Sequence, residues 1–267
     1  MNSKITKVGF IGCGNMGGAI ARAISKVLQT ELYISEPNAE KAKAISEELG
    51  CKIVDGNTVC RECDFVFLAI KPNIFDTVLP SLKSALIEGH ATIVTMAAGV
   101  AVKKVEGLIG ELPIIRIMPN TPVAVGCGMI TWCKNELVGC ESVREFERLF
   151  SHAGTLDEIN ETLIDAASAV AGCGPAFVYA FIEALADGGV QCGLPRDKAM
   201  TYAATTLIGA AEMVLKTGEH PGKLKDNVCS PGGSTIEGMH ALEIGGFRGI
   251  SAEAVISAYE KTKELGK

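Results

Sequence analysis

The sequence predicts an α/β domain, a mostly parallel sheet with helices on both faces, followed by an all-α domain. Three observations carry this. The first half alternates short, wholly apolar runs with amphipathic segments, as parallel strands covered on both faces by crossover helices do. Near residue 160 the alternation stops and long Ala/Gly-rich helical stretches take over. The composition is aliphatic, with 48% hydrophobic, 21% charged and only 5% aromatic residues in 267. That suffices for one or two real cores.

The elements follow in order. Residues 7–11 (KVGFI) form a strand and 17–28 a helix. A second strand covers 31–35, a second helix 38–49 and a short strand 52–54. The run 64–70 (DFVFLAI) is a strongly apolar strand, and 73–82, led by Pro72, is helical. Strands at 92–96 (TIVTM) and 114–118 (IIRIM) flank a helix at 102–109. One more strand is expected at 126–132, a charged amphipathic helix at 142–152 and an edge strand at 155–159. Helices are expected at 161–171, 175–188, 196–217, 235–243 and 251–265. The stretch 199–215 (AMTYAATTLIGAAEMVL) is apolar nearly all round, so it needs partners on more than one side. Some of those partners are expected from another subunit. The division falls into a first domain, 1–159, and a second, 160–267.

Net charge is −6 with no basic stripe, which argues against nucleic acid as a partner. Residues 1–7 lead straight into the first strand without a signal-peptide pattern. The longest apolar runs are broken by Gly, Pro or charge before the roughly 18–20 residues needed to span a bilayer. A soluble, cytoplasmic protein without a membrane partner is expected. The ten cysteines are scattered, and free thiols are the expectation. Cys60-Arg61-Glu62-Cys63 lacks a second ligand pair, and the four histidines show no metal spacing. No metal is expected.

The turn after the first strand reads Gly12-Cys13-Gly14-Asn15-Met16-Gly17. A G-x-G-x-x-G is weak evidence alone, but here a strand runs into it and a helix follows. Gly12 permits the tight turn, Gly14 lets the backbone approach a pyrophosphate, and Gly17 lets the helix pack on the strand. The helix N-terminus offers free N–H groups to the phosphates. This is a Rossmann dinucleotide site. Ser35 and Glu36 end the second strand, with Glu36 about 19 residues past Gly17, where an acid meets the adenosine ribose. Read so, Glu36 repels a 2′-phosphate and tilts the cofactor toward NADH rather than NADPH. Read otherwise, it is a solvated loop acid.

In an open α/β sheet, ligands sit outside the carboxyl ends of the strands. Three such ends are unusual here. One carries Lys71-Pro72, one Ala97-Ala98-Gly99, and one Pro119-Asn120-Thr121-Pro122. Small residues let a flat nicotinamide approach. Lys71 serves either the cofactor's ribose or phosphate, or is a surface cation. The Pro-Asn-Thr-Pro turn either orients a substrate or is a stiff loop.

A second anion cradle is expected in the C-terminal half. Ser230-Pro231-Gly232-Gly233 is a bare-backbone turn, and Ser234-Thr235-Ile236-Glu237 reads as a capping box with Ser234 as N-cap. A helix N-terminus facing a Gly-Gly turn can accept a small carboxylate. Ser230 and Thr235 add hydroxyls.

Together these motifs resemble the pyrroline-5-carboxylate reductase family. The likeness spans essentially the whole chain: FIGCGNMGGAI at 10–20, AIKP at 69–72, MAAGV at 96–100 and RIMPNTP at 116–122. It continues through 172–196, GEHPGKLKDNVCSPGGSTIEG at 218–238 and GFRG at 246–249. The 218–238 block is the most family-specific. The resemblance implies reduction of 1-pyrroline-5-carboxylate to L-proline with NADPH or NADH. It implies a helical dimerisation domain, a homodimer often assembled into decamers, and an active site shared with the partner subunit. It gives the hydrogen bond to the ring nitrogen to Thr235, as the catalytic residue. Ser230, Gly232, Gly233 and Ser234 complete the substrate site. The implied cofactor contacts add Asn57, Ala69, Pro72, Met96, Ala97, Ala98, Asn120, Glu161 and Asn227 to the glycine turn. Family members often have Ala or Thr where Ser234 stands, which leaves a main-chain role unaffected.

No His/Asp or Cys/His constellation lies near either motif. A protonated cyclic imine is already electrophilic, so positioning and electrostatics would suffice. Two rivals differ in chemistry. A β-hydroxyacid-type dehydrogenase needs a lysine on the first helix of the second domain, and 172–187 has none. A cofactor-binding regulatory protein has no need of the 230–235 cradle.

Overall fold

The computed structural model describes residues 5–265. It divides into two compact units, one running to Cys173 and including the end of the chain from Ala258, the other Gly174–Ser257. Residues 1–4, expected to lead into the first strand, lie outside the described residues.

The first unit is built on an eight-stranded sheet. Its strands are β1 (Thr6–Ile11), β2 (Thr30–Ser35), β3 (Lys52–Ile53), β4 (Phe65–Leu68), β5 (Thr92–Thr95), β6 (Ile114–Pro119), β7 (Gly128–Lys134) and β8 (Gly154–Glu158). The order is β3-β2-β1-β4-β5-β6-β7-β8. The first six are parallel, β7 is antiparallel to β6, and β8 is parallel to β7. The 3-2-1-4-5-6 portion is the Rossmann order, with its switch point between β1 and β4.

Helices α1 (Asn15–Ile24), α2 (Ala39–Leu49), α3 (Gly56–Glu62), α4 (Phe75–Gly89), α5 (Val102–Ile109) and α6 (Cys140–Leu149) cover the sheet. Alternation along each strand decides which face each serves. Val8, Phe10, Phe65 and Phe67 join a core with Ile20 and Ile24 of α1, Ile45 of α2 and Phe146 of α6. Their strand neighbours Ile11, Val66 and Leu68 join the opposite core with α3, α4 and α5. Phe10 and Phe67 stack with ring centroids 4.8 Å apart. Such a pair adds about 0.5–1.5 kcal/mol beyond its burial.

Three expectations are corrected. Residues 56–62, assigned no element from the sequence, form α3. Asp55 caps it, its Oδ1 accepting from the N–H groups of Asn57 (2.9 Å) and Thr58 (3.1 Å). The helix expected at 73–82 starts as a 3-10 turn, Pro72–Ile74, and continues as α4 to Gly89 through an internal Pro80. The strand expected at 126–132 sits two residues later, because Gly126 (φ 75°) closes the 3-10 turn Thr121–Val125.

From Glu161 the chain runs through a 3-10 turn (Glu161–Leu163), α7 (Ile164–Ala167) and a π-helical turn (Ser168–Gly172). The second unit holds α8 (Gly174–Gln191), α9 (Arg196–Thr217), α10 (Pro221–Asn227), α11 (Ser234–Ile244) and most of α12 (Phe247–Leu265). The short α10 was missed in the sequence. His220 caps it, its Nδ1 accepting from the Gly222 N–H at 3.0 Å, and Pro221 opens it.

The second unit's own core is small. Ala186 of α8 meets Ala199 and Ala203 of α9, and a Cβ on Gly189 would lie 3.3 Å from the Ala199 Cβ. Tyr179, Tyr202, Ile208, Met213 and Ile244 stay exposed. Contrary to expectation, one helical stretch, Glu161–Gln191, is long and apolar enough to cross a membrane, with 11% of its most apolar window buried. A helix with so much bare apolar surface needs a cover. The exposed apolar side chains of α9 raise the same question, and placing a charge there makes it testable. If a second copy of the chain covers this face, Ile208→Glu is expected to shift the protein to monomer in sedimentation velocity, because a two-fold interface would carry the charge twice, at several kcal/mol each. An unchanged sedimentation coefficient would exclude this face of α9 from the interface.

Candidate active site

Most candidate cofactor residues of the first unit follow the carboxyl ends of β1, β2, β4, β5 and β6, whereas Asn57 stands on the first turn of α3 after β3 and Glu161 follows β8. The three glycines of the turn have separable roles. Gly12 has φ 79°, and a Cβ there would lie 2.9 Å from the Ala69 carbonyl oxygen and from the Ile70 Cγ2. Its N–H donates to the Ser35 carbonyl at 2.8 Å, joining the turn to the end of β2. A Cβ on Gly17 would meet the Ala69 Cβ at 2.7 Å, so Gly17 and Ala69 set how closely α1 approaches β4. Gly14 differs from both. It is the N-cap of α1, no side chain caps it, and nothing lies within 4 Å of where its Cβ would be. Fold packing therefore does not require a glycine at 14, whereas an anion seated on the backbone does. The site fits a pyrophosphate.

Glu36 is tied into this turn. Its Oε2 accepts from the Cys13 N–H at 2.9 Å and its Oε1 from the Asn38 N–H at 3.1 Å. Lys41 Nζ stands 3.7 Å from the same carboxylate, which is only 10% exposed. Glu36 is thus neither a solvated loop acid nor a free one. It braces the turn. Lys41, which the sequence reading passed over, contributes a cation at the end of β2 on the first turn of α2.

Met96, Ala97 and Ala98 follow β5, where the Val100 N–H closes a turn on the Ala97 carbonyl at 3.3 Å and Gly99 takes φ 71°. Lys71 and Pro72 are exposed after β4, and Asn57 is exposed on the first turn of α3. Asn120 and Glu161 are engaged within the protein. The Asn120 amide donates to the Ala171 carbonyl at 3.0 Å, and its Oδ1 accepts from the Met129 N–H at 2.9 Å. Glu161 Oε1 accepts from the Val102 N–H at 2.8 Å and pairs with Arg116 at 3.2 Å.

The second unit places Asn227 at the end of α10 and Ser230–Thr235 just after it. Ser230 to Gly233 form a turn closed by the Gly233 N–H on the Ser230 carbonyl at 3.0 Å, with Gly232 at φ 67°. Pro second and left-handed Gly third are the residues a type II turn requires. The expected capping box is absent. Gly233, not Ser234, is the N-cap of α11, and no side chain caps it. This moves Glu237 one position past where it could reach back. The first N–H groups of α11 therefore lack a side-chain partner, and Thr235 is exposed beside them.

The buried thiols are structural. Burial pushes Cys60 and Cys63 up to about 12 and Cys13 up to about 11. A Cβ on Gly9 would run into Val59 Cγ1 and lie 2.7 Å from Cys63 Sγ, so Val59 and Cys63 seat α3 against β1. Among the described residues no His, Cys, Asp or Glu group could hold a metal ion. In the native protein, an alkylating reagent is expected to label Cys127, Cys140 and Cys192, which are exposed, and to spare Cys60 and Cys63. Because the folded state keeps those two thiols neutral, their contribution to stability is complete at neutral pH. It is lost as pH rises from the ordinary thiol value through about 12.

A Rossmann sheet and a glycine turn open to a pyrophosphate define a dinucleotide-binding protein. Comparison with known proteins narrows this. A family model described as pyrroline-5-carboxylate reductase dimerisation matches residues 161–265, and one described as coenzyme F420-dependent NADP oxidoreductase matches 7–99. The chain is 40% identical over 266 residues to the pyrroline-5-carboxylate reductase of Escherichia coli, covering 98% of each. It is 41% identical over 262 residues to that of Glycine max, covering 97% of this chain and 95% of that one. A crystal structure of the Plasmodium falciparum enzyme with NADP bound matches with TM-score 0.90 and 34% identity, covering 99% of this chain and 100% of that one. The chain belongs to the pyrroline-5-carboxylate reductase family, and its helical segment is that family's self-association region.

Proposed function

We propose that the chain reduces 1-pyrroline-5-carboxylate to L-proline, the last step of proline biosynthesis. The observation that carries this reading is the uncapped start of α11 after the Ser230–Gly233 turn, in a chain that also holds an open glycine turn. The cofactor, when bound, supplies the hydride. Gly12, Gly14, Asn15, Met16 and Gly17 seat its pyrophosphate, and Ser35, Glu36 and Asn57 surround its adenosine ribose. Ala69, Lys71, Pro72, Met96, Ala97, Ala98, Asn120, Glu161 and Asn227 complete the cofactor site. Of these, Asn120 and Glu161 act through the hydrogen bonds described above.

On the substrate side, the main-chain N–H groups of Gly233, Ser234 and Thr235 hold the carboxylate at the positive end of α11. The Thr235 hydroxyl holds the ring nitrogen. No acid or base is required, because the protonated imine carries its own electrophilicity. Two copies share the work, the cradle of one serving the cofactor of the other, and dimers assemble further into a decamer. The bare face of α8 and α9 is covered by the second copy rather than by lipid. The enzyme works in the cytoplasm and binds no nucleic acid.

The test is oxidation of NADH or NADPH by the purified protein, dependent on pyrroline-5-carboxylate; oxidation without the imine, or none with it, overturns the reading. The same assay measures cofactor choice. Glu36 favours NADH, and Lys41 offsets part of its charge. A strong preference for NADPH in the ratio of Michaelis constants would refute the Glu36 argument.

A further inference from the structure

We propose that Arg116 is a positioning residue, which fixes the turn after β5 through Glu161. The proposal rests on the assignment of Met96, Ala97 and Ala98 on that turn to the cofactor. Arg116 stands in an otherwise apolar strand and is 3% exposed. Its face of β6 also carries Ile114 and Met118, which belong to the core under α5. A charge in that setting is costly unless paired. Here it is paired twice, with Glu161 Oε1 at 3.2 Å from Nη1 and Asp165 Oδ1 at 2.8 Å from Nη2.

Glu161 then does something its neighbours cannot. The N-cap of α5 is Ala101, which has no side-chain acceptor. The Glu161 carboxylate, 59 residues away in sequence, accepts from the Val102 N–H at 2.8 Å and caps the helix from outside. A carboxylate at that end also suits the helix dipole. The residues immediately before this cap are the turn at 96–101. Arg116, held in the rigid sheet, thus sets where Glu161 lies, and Glu161 sets where the turn ends. Among the described residues no other group accepts from the Val102 N–H, so the turn's position depends on this carboxylate.

Two variants test it. Arg116→Met removes the charge that holds Glu161. Val102→Pro removes the N–H and exchanges the buried valine side chain for a ring of as many carbons, at a first helical position where proline is tolerated and after a residue already extended (Ala101, ψ 155°). Val102→Pro keeps the experiment decisive if Arg116→Met fails to fold. Both are expected to speed amide hydrogen exchange across 96–105 in the cofactor-free protein. Both are expected to raise the KM for the nicotinamide cofactor on the order of tenfold, since small misplacements at a reacting site have large kinetic costs. The KM for the imine stays near wild type. If Val102→Pro keeps wild-type exchange and wild-type cofactor KM, the proposal is overturned and Arg116 is a stabilising element alone. Exchange is read without cofactor or imine, so a wild type that fails to reduce pyrroline-5-carboxylate would sink the functional reading and leave the link from Arg116 to the turn standing.

Discussion

Gly14→Val is expected to abolish cofactor binding while leaving the fold intact. A valine at 14 meets nothing within 4 Å at its Cβ, and the backbone there (φ −62°, ψ −168°) is open to any residue. The melting temperature should move by no more than a surface change would cause, within about 0.5 kcal/mol. The isopropyl group would instead fill the space from which the N–H groups of α1 reach an anion. Loss of a charge-assisted bond to backbone N–H groups and of close approach costs several kcal/mol, so the dissociation constant should rise at least about 100-fold. Gly17→Val is the contrast. Its Cβ would lie 2.7 Å from the Ala69 Cβ, so α1 must shift and stability must fall together with binding. Fluorescence titration with NADH and a thermal melt on both variants separate the two roles. Equal loss of stability in both would show that Gly14, too, is a packing glycine.

Much of this architecture was legible in the sequence, because buried parallel strands are apolar on both faces and announce themselves. The strand FVFL and the glycine turn after KVGFI need no tertiary information. What was hidden depends on partners distant along the chain. Arg116 in IIRIM read only as part of a strand, and nothing local to it points to Glu161 and Asp165 as its partners. Glu36 has the position of a ribose ligand, and only the folded turn brings its carboxylate onto the Cys13 N–H. The helix at 56–62 could have been found, since Asp55-Gly56-Asn57-Thr58 carries an N-cap residue. Its C-x-x-C spacing suits ligation as well as packing, and only the fold shows Cys63 packed against Gly9. At 230–237 the capping-box pattern misplaced the helix start by one residue, because sequence alone does not say whether Gly233 or Ser234 is the last extended residue.

That one-residue shift sharpens the expectation for Thr235→Ala. With Gly233 as N-cap, Thr235 is the second residue of α11, exposed, and no described side chain or backbone group bonds its hydroxyl. A hydroxyl so placed contributes little to folding, and alanine is the better helix former. The melting temperature should therefore hold or rise slightly. Turnover should fall about 100-fold or more, the usual consequence of removing one donor or acceptor that meets charge at a reacting centre. The KM for the cofactor should hold, since the turn at 12–17 is untouched. Ser234→Ala is the control, because only the main chain of that residue is assigned a role and its turnover should match wild type. Thr235→Ser should recover much of the lost rate, as it restores the hydroxyl without the methyl. Wild-type turnover in Thr235→Ala would remove the residue's hydroxyl from the mechanism and leave the substrate to the main-chain N–H groups of α11 and the Ser230–Gly233 turn.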